Sequence, residues 1–118
     1  MPTDKKRESS AIPNEVRYVN LLLFSMCSGD RSPVVLRQSR PLPMFQELEH
    51  TPDFSHVCKR LKVMCNLKLV RSEEPIEGSI QLNISGTQFA IRSYFDEQCA
   101  DPYCQLTVVV YGAPDRAL

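Results

Sequence analysis

Ser79-Ile80-Gln81-Leu82-Asn83-Ile84-Ser85-Gly86 alternates polar and apolar side chains and ends on a serine-glycine pair. A period of two marks a strand with one dry and one wet face, and glycine accepts the positive φ of a tight turn. The chain repeats the pattern after the turn, with Phe89, Ile91 and Phe95 facing one way and Ala90 and Tyr94 the other. Beyond a polar loop at 96–102, Leu106, Val108 and Val110 alternate with Thr107, Val109 and Tyr111 until Gly112-Ala113-Pro114 stops them. The last third therefore predicts antiparallel sheet, with strands at 79–84, 88–94 and 106–111.

Upstream of this sheet the period changes. Phe54, Val57, Cys58, Leu61, Met64 and Cys65 recur at three-and-four spacing, which predicts a helix over 52–64 with Thr51 as cap, Pro52 in its first turn and Asp53 complementing the dipole. Met44, Phe45 and Leu48 predict a further turn or two of helix. Earlier still, Val16, Tyr18, Leu22, Phe24 and Met26 fall on one side of an extended run, and Val19, Leu21, Leu23 and Cys27 on the other. This two-sided apolarity predicts a buried strand over 16–26, closed by a turn at Ser28-Gly29-Asp30, with a short second strand at 33–36. The expected fold is α+β: a mostly antiparallel sheet packed against one or two helices. One domain is expected over 14–112, between a disordered arm at 1–13 and a frayed tail at 113–118.

The 118 residues suffice for one core. A formal net charge of zero excludes the whole-molecule basic footprint of a dedicated nucleic-acid binder. The charges are nevertheless split: Lys and Arg prevail from 14 to 72 and acids thereafter, which suits head-to-tail self-association or an anionic partner on one side. Five cysteines form an odd set with no apolar signal segment ahead of them, so the expected setting is reducing and intracellular, without disulfides. No stretch approaches the length of a membrane span, and the sequon at Asn83-Ile84-Ser85 is read as chance.

Chemistry-bearing constellations are sparse. Cys58 and Cys65 lie two helical turns apart, which argues against one tetrahedral zinc shared with His50 and His56. Neither histidine belongs to a nucleophile elbow, and no glycine-rich phosphate loop is present. We therefore expect no enzyme activity, no cofactor, no metal and no small-molecule substrate. Tyr94 and Arg92 share a strand face that Tyr111 can join, a combination of ring and guanidinium suited to RNA, but the surrounding acids weaken that reading. The more compact cationic feature is Lys59, Arg60 and Lys62, expected on the helix face opposite Phe54, Val57, Leu61 and Met64, extended by Lys68 and Arg71. This patch is the expected site for an anionic partner, with Lys5, Lys6 and Arg7 as a tethering arm.

Two segments carry a family resemblance. Asn14-Glu15-Val16-Arg17-Tyr18, running into apolar residues up to Met26 and a polar turn, resembles the opening of the folded domain of vesiculovirus-type rhabdovirus matrix proteins. Gly78-Ser79-Ile80-Gln81-Leu82-Asn83-Ile84, with Phe95-Asp96-Glu97 after the next strand, is similar to a strand pair near the end of that domain. The resemblance implies a virion protein that associates with itself, binds acidic membrane and condenses a ribonucleoprotein. The chain is shorter than such proteins, its basic arm is reduced to Lys5-Lys6-Arg7, and it lacks a Pro-Pro-x-Tyr motif. These departures point equally to a viral accessory regulator that binds a host protein or RNA, such as a silencing suppressor or host-shutoff factor.

Overall fold

A computed structural model describes residues 12–29, 32–69 and 73–110. The Lys5-Lys6-Arg7 arm, Arg71, Tyr111 and the tail at 113–118 lie outside the described residues. In chain order the elements are α1 (Asn14–Ser28), β1 (Val34–Arg37), α2 (Phe54–Met64), β2 (Ile76–Ile84), β3 (Thr87–Asp96) and β4 (Tyr103–Val110). The strands form one antiparallel sheet in the order β1-β4-β3-β2, giving the α+β architecture that the alternation and helical spacing imply.

The segment at 16–26 is helical, contrary to the strand expected there. Tyr18, Val19, Leu22, Leu23, Met26 and Cys27 are its buried residues, and their spacing is one helical stripe repeated every turn. Leu21 and the exposed Phe24 intrude on the remaining surface, so the polar side is too interrupted to mark a helix by composition. Chain ends settle the choice. The amides of Val16 and Arg17 donate to Pro13 O, Glu15 complements the first turn, and the Gly29 amide closes the last turn on Ser25 O.

The helix expected around Met44 to Leu48 is a single turn, in which the Leu48 amide donates to Phe45 O. Its neighbourhood explains why no helix propagates. Pro41 and Pro43 supply no amide donors, and Pro43 O instead accepts from the Tyr18 hydroxyl at 2.7 Å. Phe45 packs edge-on against the Tyr18 ring at 5.3 Å, so this loop serves as a lid on α1. The second helix stands where its spacing predicts, but starts two residues late. Asp53 rather than Thr51 occupies the cap position, with extended backbone and no side-chain bond to the first turn.

The β2–β3 hairpin follows its alternation. Ser85 and Gly86 both have positive φ, 53° and 87°, as a two-residue hairpin turn with the right twist requires. Asn83 Oδ1 accepts from the Gly86 amide at 3.1 Å and steadies that turn. Both helices lie on one side of the sheet, where Leu36, Cys104, Leu106, Phe95, Ile91 and Ile80 complete a core with Tyr18, Val57 and Leu61. At Gly78 a Cβ would stand 2.6 Å from Cys65 Cβ, so the end of α2 meets β2 where only glycine fits. Among the described residues, no helix covers the opposite sheet face.

Candidate anion-binding surfaces

The expected basic patch does not assemble as one surface. Lys59 and Lys68 are exposed, Arg60 is half-buried with its Nε sealed and unpartnered, and Lys62 is buried at 1% exposure. Lys62 Nζ donates to Glu97 Oε2 at 2.8 Å and lies 5.7 Å from the centre of the Phe95 ring. The helix geometry accounts for this correction. Lys62 is only about 40° around the axis from Cys58, which puts it on the edge of the buried stripe, and Glu97 supplies the anion that makes its burial tolerable. Lys62 therefore braces the helix against the β3–β4 loop.

What remains beside it is a groove of about 570 Å³, lined among others by Gln38, Asp53, Cys58, Lys59, Lys62 and Glu97. Its charges are mixed, since Asp53 and Glu97 offset the two lysines. Next to it, the thiols of Cys58 and Cys104 are buried. The hydrogen bond with Cys58 and then burial hold the Cys104 thiol well above its ordinary value, so it stays neutral. Among the described residues, no group of three or more His, Cys, Asp or Glu side chains is placed to hold a metal ion. His50 and His56 are exposed, each near a neighbouring acid, Glu49 at 4.0 Å and Asp53 at 3.6 Å.

The open sheet face gathers a second set of residues. Register places Arg37 opposite Tyr103, Tyr94 opposite Gln105 and Arg92 opposite Thr107. Directly opposed residues of paired strands share a face, so these six side chains project together. The Arg37 guanidinium sits over the Tyr103 ring at 4.9 Å, and the Tyr103 and Tyr94 rings are 6.1 Å apart. Asp101 orients that arginine from behind. Its Oδ2 accepts from the Ser39 hydroxyl at 2.7 Å and lies 3.6 Å from Arg37 Nη1, and these partners, the Ser39 hydroxyl first, hold its carboxyl below the usual range. Desolvation, followed by Tyr103, Asp96 and Glu77, pushes the Tyr94 phenol up, keeping it a neutral donor. A shallow cavity of about 330 Å³ opens between Arg92, Tyr94, Gln105, Thr107 and Glu77.

The pairing of Arg92 with Tyr94 on one strand face was readable from alternation, whereas Arg37 and Tyr103 were not. Extending the period of β4 back through Gln105 reaches Tyr103, but the Pro102 boundary hides that start. The place of Arg37 depends on the β1–β4 pairing, a contact between distant segments that local sequence does not encode. No helix among the described residues is long and apolar enough to cross a membrane. No protein-family model, curated protein or solved structure matches the chain.

Proposed function

We propose that this chain is a non-enzymatic viral interaction protein, matrix-like or accessory, that associates with itself and binds an anionic partner through its open sheet face. The observation that carries the reading is the cluster of Arg37, Tyr103, Tyr94 and Arg92 on a sheet face that no helix among the described residues covers. Rings and guanidinium planes stack on bases, while arginines meet phosphates. The partner favoured by this chemistry is the single-stranded RNA of a ribonucleoprotein. An acidic membrane is less well served, because Lys59 shares its groove with Asp53, Lys68 lies beyond the end of the helix, and Lys62 is engaged by Glu97. The five free thiols suit an intracellular setting.

Fluorescence anisotropy with a labelled uridine-rich single strand, run beside flotation of phosphatidylserine vesicles, tests the assignment. The variant Tyr94→Ala with Tyr103→Ala should lose roughly thirtyfold or more in RNA affinity, since each stacked base contributes about 1–3 kcal/mol. Lys59→Glu with Lys68→Glu should change RNA affinity far less. Vesicle recovery that disappears with the lysine pair, together with RNA affinity indifferent to the tyrosines, would transfer the function to the helix and a membrane. A parent protein that binds neither RNA nor vesicles would leave a host protein as the partner.

A further inference from the structure

The two edges of the sheet differ. β1 is four residues long, carries Arg37 and runs on toward Pro41 and Pro43. Short length, charge and proline are the ordinary protections of an exposed edge. β2 has nine residues, contains no proline, bulge or lysine, and keeps an unbroken register with β3 from Ile76↔Phe95 to Ile84↔Thr87. Among the described residues no strand lies beyond it.

We propose that β2 is a homodimer interface, at which a second copy of this chain adds its own β2 antiparallel to form one continuous eight-stranded sheet. The inference deepens the self-association in the reading above and rests on it. The direction of the backbone groups follows from the hairpin. In a two-residue loop the flanking pair, Ile84 and Thr87, exchanges both hydrogen bonds, so the backbones of Glu77, Ser79, Gln81 and Asn83 point away from β3.

These four residues select the register. With Ile80 opposite Ile80 of the second copy, Ser79 meets Gln81 and Glu77 meets Asn83, so each outward backbone in the row has a counterpart. Gln81, whose side chain already donates to Ser79 Oγ at 3.2 Å, keeps a partner with or without the second copy. The side chains agree with this pairing. Glu77 is the only charged residue of β2, and it stands opposite an amide rather than another acid. On the helix side, Ile76 meets Ile84, and Leu82 stands across from Gly78, beside the Cys65 and Leu67 side chains that pack over that glycine. The half-buried Ile76, Leu82 and Ile84 are thereby covered at the end of the sheet where the helices leave them partly open. Sliding the strands by two residues in either direction leaves an outward backbone group at one end facing Pro75 or the Ser85-Gly86 turn.

Light scattering coupled to size exclusion over a concentration series tests the interface, using the parent, Ser79→Glu/Gln81→Glu and Ser79→Glu/Gln81→Lys. Both positions are exposed, and Glu at 79 faces Arg92 across β3, so each variant retains its monomer fold, which circular dichroism melting checks. The parent should approach twice 13.5 kDa as concentration rises. The double-glutamate variant places like charges directly across the two-fold axis in two symmetric pairs and should weaken the dimer on the order of tenfold. The Glu/Lys variant makes those pairs attractive and should dimerise at least as tightly as the parent. A parent that stays at 13.5 kDa, or two folded variants that dissociate alike, overturns the proposal. RNA anisotropy on the parent separates the two readings: a monomer that binds RNA removes only the dimer, and a dimer that does not bind RNA removes only the sheet-face function.

Discussion

On the helix-covered face of the sheet, Ile91, Phe95, Cys104 and Leu106 are sealed from solvent, while Arg92, Tyr94, Tyr103 and Gln105, next to them on the same strands, stay half-exposed or exposed. Two surfaces are thus written into alternate letters of one sequence. The covered side contributes stability by removing apolar area from water, and the open side holds rings and guanidinium groups that cost little to display and have no partner in the core. The difference teaches where to seek function in a small α+β protein whose helices all lie on one side: the uncovered face is the larger organised surface, and its residues are ordered by the fold behind it. The helix patch lacks that advantage, because its most central cation is part of the core.

The strongest way to sharpen this contrast is at Lys62. Lys62→Glu sets a second carboxylate against Glu97 in a buried site, and the expected destabilisation is about 3–5 kcal/mol, enough to unfold much of a small domain. Lys62→Met with Glu97→Gln should fold with near-parental stability, since an apolar replacement removes the desolvation cost together with the attraction. Urea titration followed by circular dichroism separates the two. If Lys62→Glu melts like the parent, Lys62 is a surface cation and the helix patch regains its claim.

Adjacent residues of β3 provide the next comparison. Ile91→Ala should cost about 2–5 kcal/mol by opening a cavity between sheet and helices, whereas Arg92→Ala should change stability by less than about 0.5 kcal/mol and weaken RNA binding instead. The same two measurements on both variants, unfolding and anisotropy, should give opposite orders.

Much of this arrangement was legible in the sequence, and the exceptions have physical causes. Alternation in β2, β3 and β4 was readable because each has one wet face, and α2 because its polar side is nearly uninterrupted. α1 was obscured by Leu21 and Phe24, apolar residues outside its buried stripe, which give a helix the two-sided look of a central strand. The site was harder to read than the fold. Lys62 is cationic and lies only about 60° around the helix axis from Lys59, so charge grouped it with a surface it does not share. Its true partner, Glu97, lies 35 residues away in sequence. Arg37 and Tyr103 meet only through strand pairing across 66 positions, and pairing over such distances is decided by the whole core.

A smaller effect should appear at alkaline pH. Burial pushes the Tyr18 phenol from 10.0 to about 12, burial raises the Cys65 thiol against the opposing Ser93 hydroxyl, and Cys104 lies well above 9.0. Each folded-state value is raised, so the folded chain holds protons that the unfolded chain releases. Their contribution is fully present below about pH 9 and is lost as pH rises toward 12. Melting temperature should therefore be flat to about pH 9 and then decline, and Tyr18→Phe should flatten the decline above pH 10.

The most direct test of the open face as the binding surface is a two-dimensional amide NMR titration of the parent with a uridine-rich single strand. The expected shifts cluster on Arg37, Arg92, Tyr94, Tyr103 and Gln105, with Lys59, Val63 and Lys68 unmoved. Shifts confined to Lys59, Val63 and Lys68, with the sheet face silent, would contradict the account.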